Sequence, residues 1–229
     1  MKVKSTILPF VILTALILAA SQTRAQDSTP PLTAAELETI YNASIEKRTA
    51  EILKALALTD AAKATRVHDV IMAQYRSLRA RDEALDTMFK ELAKNAPGVE
   101  TNRSAILRTL SQTLHSQFVG KLSAELSPAQ VELVKDKLTY DKVKVTYDAY
   151  CNIVAGLDDK DKAMILDSLK EAREEAIDGG SAVEKTEIFQ RHKDRINARL
   201  LAGGHDVAKA IKEWEEKQES QPKPKAAGN

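Results

Sequence analysis

Apolar residues recur every three or four positions along most of the chain, which is the period of an α-helix that buries one face. The clearest stripes are Val67, Ile71, Tyr75, Leu78, Leu85, Phe89 and Leu92; Leu107, Leu110, Leu114 and Phe118; Ile165, Leu169, Ala172 and Ala176; and Phe189, Ile196 and Leu200. Aromatic residues make up only 4% of the chain, so Leu, Ile, Val and Ala must fill the core. This composition favours helix-on-helix packing and predicts an all-α fold, a compact bundle of about seven or eight helices.

Residues that favour helix ends stand at the edges of these stripes. Thr33 with Glu36, and Ser181 with Glu184, have the spacing of a capping box, in which a hydroxyl and a carboxylate satisfy free backbone amides. Pro128 suits the first turn of a helix. Further signals are Asp158 as an N-cap, the glycine pairs 179–180 and 203–204 as helix ends, and a last amphipathic segment around Ile211 and Trp214. We expect the glycines to close their helices in the left-handed conformation.

The stretch from residue 138 to 157 differs from its surroundings. It holds three of the five tyrosines and the only cysteine, Cys151. Within it, the β-branched residues Val143, Val145 and Thr146 alternate with charged ones, so we expect the helical periodicity to lapse here. A functional site is first sought in this stretch.

The ends of the chain have a different composition from the middle. Lys2 and Lys4 precede an apolar run over residues 7–20, which is too short for the roughly 20 residues that span a bilayer and is typical of a signal peptide. We predict a signal peptide over 1–25, a disordered arm over 26–32, a helical domain over 33–217 and a disordered tail over 218–229. The expected location is the periplasm or the medium. No stable membrane anchor would remain after cleavage.

Charge and motifs exclude several classes of function. The chain has 34 Lys and Arg and 33 Asp and Glu; the predicted signal peptide takes away three basic residues, which leaves 31 against 33 and a net charge of −2. This balance does not favour nucleic acid as a partner. Neither cofactor-binding nor metal-ligand spacing is recognisable, the four histidines are scattered, and we assign no catalytic residue. The carboxylates near the central stretch are Asp141, Asp148, Glu174, Glu175 and Asp178.

One set of side chains remains as a candidate ligand-binding site. It consists of Tyr140, Tyr147 and Tyr150, together with Arg173, Lys193, Arg195 and Asn197. Tyrosines offer a flat apolar face with a polar tip, and Arg and Asn add directional donors, which suits a polar ligand such as a carbohydrate or a peptide. The alternative is that the tyrosines are packed in the core and that the arginines and Asn197 bridge neighbouring helices.

Two resemblances bear on the family. Leu126-Ser-Pro-Ala-Gln130 resembles the Leu-Thr-x-x-Gln motif of periplasmic helical chaperones and stress sensors, although a leucine before a capped helix, which any helix can use, is the favoured explanation. A longer resemblance rests on Leu138-Thr-Tyr140, Tyr147-Asp-Ala-Tyr150, Ala172-Arg-Glu174, Asp178-Gly179, Phe189, Lys193, Arg195-Ile-Asn197, Leu200 and Gly204. From about Tyr41 to Val207 the chain resembles the exported bacterial family DUF3826, a domain of unknown function. The resemblance implies a fold and export, and no chemistry.

Three functions are compatible with these observations. We favour an exported, non-catalytic binding or accessory protein of the cell envelope, linked to glycan metabolism, whose partner is a carbohydrate, a peptide or an envelope protein. The first alternative is a chaperone-like periplasmic protein with an exposed apolar groove. The second is a hydrolase or lyase acting on a polysaccharide, which requires a cleft with two facing carboxylates.

Overall fold

The computed structural model describes residues 31–95 and 103–220, and this part of the chain is all-α, as predicted. Its eight helices are α1 (Ala34–Leu56), α2 (Ala61–Asn95), α3 (Arg103–Glu125), α4 (Pro128–Leu138), α5 (Lys142–Ile153), α6 (Asp159–Ala176), α7 (Ala182–Ala202) and α8 (Val207–Ser220). The predicted signal peptide, most of the predicted arm and residues 221–229 lie outside the described residues. Within the described ranges, no helix has both the length and the apolar character that crossing a membrane requires.

Local sequence explains where several helices begin. At α1 the Thr33 side chain and the Glu36 carboxylate form the predicted capping box. Ser127 and Gln130 form another at α4, with Pro128 in the first turn. At α7 only half of the predicted box forms: the Ser181 hydroxyl accepts from the Glu184 amide at 3.0 Å. The Glu184 carboxylate instead accepts from the Gly180 amide, so the box is shifted by one residue.

The central stretch is helical over most of its length, so the expected lapse of periodicity was wrong. Helix α5 buries Val143 and Tyr150 in the core, with Tyr147 partly buried between them and Val154 buried just beyond the helix. These positions have helical spacing, whereas the apparent alternation came from Val145, which is exposed. The real break precedes α5, where Tyr140 and Asp141 both have a positive φ.

Two hydrophobic cores hold the helices together. The N-terminal core is formed by α1 to α4, with Val67, Ile71 and Leu122 fully buried. The C-terminal core lies among α5 to α8 and includes Ile165 and Leu200. Helix α6 belongs to the C-terminal core, but Ile177, directly after its last residue, packs into the N-terminal core. The end of α6 therefore ties the two halves of the molecule together.

Two expectations about apolar stripes and one about the C-terminal tail need correction. The α3 stripe buries only Phe118, because the first half of α3 extends along α2 beyond the core and leaves Leu110 exposed. In α8, Ile211 and Trp214 are also exposed, and Val207 alone is buried. Residues 218–220, predicted as part of the disordered tail, form the last turn of α8.

Candidate functional site

A polar groove of about 940 Å³ opens between α3 on one side and the α6–α7 turn with α7 on the other. We call it the α3–α7 groove. Its lining residues are Leu107, Arg108, Ser111, Gln112, His115, Ser116, Glu175, Asp178, Glu184, Glu187, Ile188, Arg191 and Arg195. Most of these side chains carry hydrogen-bonding groups, which is the usual means by which a pocket orients a polar ligand.

His115 and Asp178 form the most enclosed pair of the groove. His115 Nδ1 lies 3.1 Å from Asp178 Oδ2, and the Asp178 side chain is only 12% exposed. The hydrogen bond to Asp178 raises the pKa of His115 above its ordinary value, although burial opposes the change. The other carboxylate oxygen of Asp178, Oδ1, is buried without a hydrogen-bond partner. The protein encloses this oxygen completely, so it is an unsatisfied acceptor of the fold and not a contact point in the open groove.

Arg81 of α2 fixes the position of this pair. Its buried guanidinium donates to the Ser111 hydroxyl at 2.9 Å and to the Asp178 carbonyl oxygen at 2.8 Å. It also binds Asp82, whose carboxylate packs directly against Gly180. A β-carbon on Gly180 would stand 1.8 Å from Asp82 Oδ2, so glycine is required here for close approach.

The glycine pair at 179–180 therefore differs from our expectation. A positive φ occurs at Gly204 and Gly156, and neither Gly179 nor Gly180 has one. Helix α6 ends instead with ordinary helical geometry at Ile177, and Gly179 donates its amide to the Ala176 carbonyl. The small size of Gly180, rather than its backbone freedom, lets the α6–α7 turn dock against α2.

Glu175 organises a second part of the groove. Its carboxylate accepts from Arg191 at 2.5 Å and lies 3.1 Å from Nε2 of His192. Burial acts to raise the pKa of Glu175, but the bond to His192 and the charge of Arg191 outweigh it, so that pKa is lowered. Glu175 is therefore an ionised acceptor, held in place from two sides.

Three other charged side chains of the groove form no ion pair within the part of the chain that the structure describes. Arg108 of α3 and Arg195 of α7 are exposed and form no ion pair with any other residue in the described ranges. Glu187 is likewise exposed and without an ion-pair partner there. Unlike Glu175, these three side chains keep their full capacity for a bound molecule.

A different arrangement of charges lies between α4 and α6, and we call it the α4–α6 seam. Its members are Glu132, Lys135, Asp136, Arg173 and Glu174. The buried Arg173 donates to Asp136 at 2.6 Å and also binds Glu132 and Glu174, and Lys135 binds Glu174 at 2.9 Å. Every charged member of the seam is thus paired within the protein.

The structure brings only part of the predicted ligand-binding set together. The Tyr150 hydroxyl donates to Asn197 Oδ1 at 2.6 Å and lies 3.5 Å from the Lys193 carbonyl oxygen. Lys193 Nζ donates to Gln190 at 3.1 Å. Tyr147 is partly buried and packs against the C-terminal core. Through Tyr150, this part of the set links α5 to α7.

The other three predicted residues lie in three different places. The Arg48 guanidinium stacks on the Tyr140 ring, 4.7 Å from its centroid, which places that ring against α1. Arg173 is enclosed in the α4–α6 seam, and Arg195 lines the α3–α7 groove. Of the seven predicted residues, Arg195 is the one that meets the groove. A ligand-binding role for the others stays a prediction.

Sequence reasoning missed the α3 side of the groove. Arg108, Ser111, Gln112, His115 and Ser116 recur at intervals of three and four, so they form a polar stripe along one helical face. A purely solvated face also has this spacing. Only the packing of α7 opposite α3 shows that the stripe lines a groove.

The arrangement supports recognition of a polar molecule through many hydrogen bonds. Within residues 31–95 and 103–220, no group of three or more His, Cys, Asp or Glu side chains is placed to hold a metal ion.

A search of curated proteins finds no match to the chain. The family model described as a protein of unknown function, DUF3826, matches residues 42–220. The resemblance noted from the sequence is therefore confirmed, and the chain belongs to the DUF3826 family.

Proposed function

We propose that the protein is an exported, non-catalytic binding or accessory protein of the cell envelope that serves glycan metabolism and holds its ligand in the α3–α7 groove. The observation that carries the proposal is an open groove in which Arg108, Arg195 and Glu187, which have no ion-pair partner among the described residues, stand beside the fixed His115 and Asp178 pair. Fixed polar groups lower the cost of binding because they need little ordering when a ligand arrives. The composition of residues 1–25 supports export.

Binding is favoured over hydrolysis by the state of the carboxylates. A glycosidase acid needs a raised pKa, whereas the pKa of Glu175 is lowered. Asp178 is bound to His115, and Glu184 caps the start of α7. These groups hold the groove together, so their geometry suits recognition more than proton transfer to a leaving group.

The chaperone-like alternative retains one observation in its favour. An apolar pocket of about 570 Å³ lies between α2 and α3, and it includes Leu85, Met88, Ile106, Leu110 and Leu114. Exposed apolar surface of this kind can contact an unfolded client. Suppression of client aggregation that Leu110→Ser abolishes would support the alternative, and no suppression at a several-fold molar excess would remove it.

The proposed binding function is tested by blocking the groove. Gln112→Trp places a large side chain on the lining, and Gln117→Trp places the same side chain at an exposed position of α3 outside it. Residues 26–229 are screened by thermal shift against neutral oligosaccharides, acidic oligosaccharides and peptides. A ligand at 100 times its dissociation constant should add about 2.7 kcal/mol of stability, which raises the melting temperature by several degrees.

We expect a ligand shift with wild type and Gln117→Trp and none with Gln112→Trp. Circular dichroism establishes that both variants keep their helices. A shift that survives in Gln112→Trp would place the ligand elsewhere, and no shift with any class of probe would count against a small-ligand function.

A further inference from the structure

We infer that a second copy of this chain covers the apolar pocket between α2 and α3, so that the protein forms a two-fold dimer. Ile106, Leu110 and Thr113 of α3 line this pocket, whereas the α3–α7 groove is lined by residues on the other side of that helix. The dimer is therefore independent of the proposed function. The shape of the pocket, its lack of charge and the size of the face around it support the dimer.

Helices α2 and α3 form an antiparallel hairpin whose two arms are fixed in register. Arg81 of α2 donates to the Ser111 hydroxyl of α3 at 2.9 Å. Farther along α2, Asp86 binds Arg103, which comes earlier in α3. Residues next to Arg81 on one arm therefore stand level with residues next to Ser111 on the other.

The two arms differ in height where they flank the pocket. Three small side chains of α2 form a trough: Ser77, Ala80 and Ala84. Three large side chains of α3, spaced four residues apart, form a ridge beside it: Ile106, Leu110 and Leu114. Because Arg81 and Ser111 are level, Ala80 in the trough stands beside Leu110 on the ridge.

A two-fold axis parallel to the hairpin makes this shape complementary to itself. Such an axis keeps the level of every residue along the hairpin and places the α3 ridge of each copy over the α2 trough of the other. Leu110 of one copy then lies opposite Ala80 of its partner, and the reverse contact forms at the same time. The facing helices run antiparallel, as neighbouring helices do in an up-down four-helix bundle.

The pocket also has little charge. Within the described part of the chain, Arg81 is the one charged residue among its ten lining residues, and the guanidinium is buried and bound to Ser111 and Asp178. Since 29% of the chain is charged, about three charged residues would be expected among ten. In an isologous interface, groups near the axis meet their own copies, so like charges there would repel. The uncharged face avoids this repulsion.

The size of the face predicts a weak dimer. From Ser77 to Leu92, α2 rises about 23 Å, and two packed helices are about 20 Å wide. Two such faces have a combined projected area of about 900 Å², which is at the low end for specific interfaces. Met88 and Leu110, which are 37% and 41% exposed in the single copy, lie within this face. We therefore expect dissociation in the micromolar range.

The test measures the mass of the purified protein, residues 26–229, by sedimentation equilibrium from about 2 to 200 μM. Wild type should pass from the mass of one copy to that of two over this range. Leu110→Lys and Ala80→Glu each place a charge in the contact, so each alone should weaken the dimer about tenfold or more. Both positions are exposed in the single copy, so circular dichroism should show unchanged helical content.

A mixture of the two variants tests the arrangement itself. In a mixed dimer, the new lysine of one copy faces the new glutamate of the other, and the second ridge meets an unchanged trough. An equimolar mixture should therefore regain most of the association that each variant alone has lost. Leu201→Lys and Ala198→Glu are the matched controls, because both positions are exposed on α7 and neither lines the pocket. Both controls should associate as wild type does.

A protein that stays monomeric at the highest concentration would overturn the inference, and so would association that both variants leave unchanged. Association lost in each variant and not regained on mixing would also overturn it, since ridge and trough would not face each other. A monomer whose pocket binds an unfolded client would assign the surface to the chaperone-like alternative. Ligand binding that Gln112→Trp abolishes is a separate result, because Gln112 lines the α3–α7 groove. The dimer and the proposed function therefore fail independently.

Discussion

The α4–α6 seam and the α3–α7 groove are built from the same kinds of residue, yet they use charge in opposite ways. In the seam, the Arg173 side chain is 5% exposed and three carboxylates surround it. In the groove, Arg195 is exposed and has no ion-pair partner among the described residues. Both arginines were predicted as ligand contacts. Burial and pairing distinguish a residue that holds two helices together from one that is available to a ligand.

The two regions meet at His115. Its Nδ1 lies 3.1 Å from Asp178 in the groove, and its Nε2 lies 3.9 Å from Glu174 of the seam. Glu174 is itself held by Lys135 and Arg173. The lining of the groove is therefore anchored on a paired network, and changes in the seam should affect stability before they affect recognition.

The largest expected effect follows from breaking the seam. Arg173→Ala leaves Glu132 and Asp136 without their shared partner, so we expect a loss of about 3 kcal/mol in the free energy of unfolding, the lower end for a broken buried pair. For a chain of this size the melting temperature should fall by about 6–12 °C. Urea denaturation followed by circular dichroism measures the change.

An exposed ion pair provides the control for Arg173. Arg66 binds Glu125 at 2.8 Å with its side chain 53% exposed. Arg66→Ala should therefore cost about 0–1 kcal/mol. Equal losses in the two variants would mean that the seam is no more stabilising than a surface pair, and the contrast drawn above would fail.

Lys185, close to the seam, should give the second largest effect. Its Nζ donates to the Leu138 carbonyl at 3.2 Å, and burial lowers its pKa from 10.5 to about 8. Between these two values the unfolded chain binds more protons than the folded protein, so stability rises with pH. We expect a gain of about 2 kcal/mol between pH 7.5 and 10 in wild type, and little in Lys185→Met.

The pH range for this experiment has an upper limit. Burial raises the pKa of Tyr75 and of Tyr150 to about 12, so above pH 10 the unfolded chain loses protons that the folded protein keeps. Stability then falls with pH, and urea midpoints are compared only up to pH 10. Lys209→Met, at an exposed lysine of α8, should keep the wild-type slope.

A smaller effect is expected at the tyrosines. Tyr150→Phe removes the hydrogen bond to Asn197, so we expect a loss of about 1 kcal/mol in the free energy of unfolding. A double-mutant cycle with Asn197→Ala isolates this pair. Tyr140→Phe should be neutral, because the ring keeps its contact with Arg48. Ligand binding lost in Tyr150→Phe without loss of stability would restore the tyrosines as the site.

Much of the fold was predictable because it depends on local chemistry. Thr33 and Pro128 mark helix starts through groups within three residues, and the α6 stripe from Ile165 to Ala176 is buried as expected. The central stretch was misread because Val145 suggested alternation, while the buried positions, among them Val143 and Tyr150, had helical spacing. In a short segment the apolar pattern is compatible with both the helical period and the two-residue alternation of a strand, and packing against the core decides between them.

The candidate site was far less predictable, since it depends on contacts distant in sequence. His115 and Asp178 are 63 positions apart, and Arg81 reaches the Asp178 carbonyl across 97. No local pattern signals such pairs. Arg195 was included as a directional donor that could approach the tyrosines, and the structure instead supplies a groove around it. The polar stripe of α3 was a usable signal, but only a partner helix distinguishes a groove from a solvated face.

The smallest expected effect concerns the point where the seam and the groove meet. Asp178 raises the pKa of His115, so the folded protein holds its proton to higher pH than the unfolded chain. The stabilisation is complete below about pH 6.5, which is the pKa of a histidine in the unfolded chain. It is lost as the pH rises through the higher pKa that His115 has in the folded protein. His115→Gln should therefore flatten the fall of urea midpoints between pH 6 and 8, by less than about 1 kcal/mol. His68 also has a raised pKa, through Asp69 and Glu46 on the surface, so His68→Gln is measured in parallel. A slope unchanged by His115→Gln and abolished by His68→Gln would show that the His115 pair does not couple the two regions.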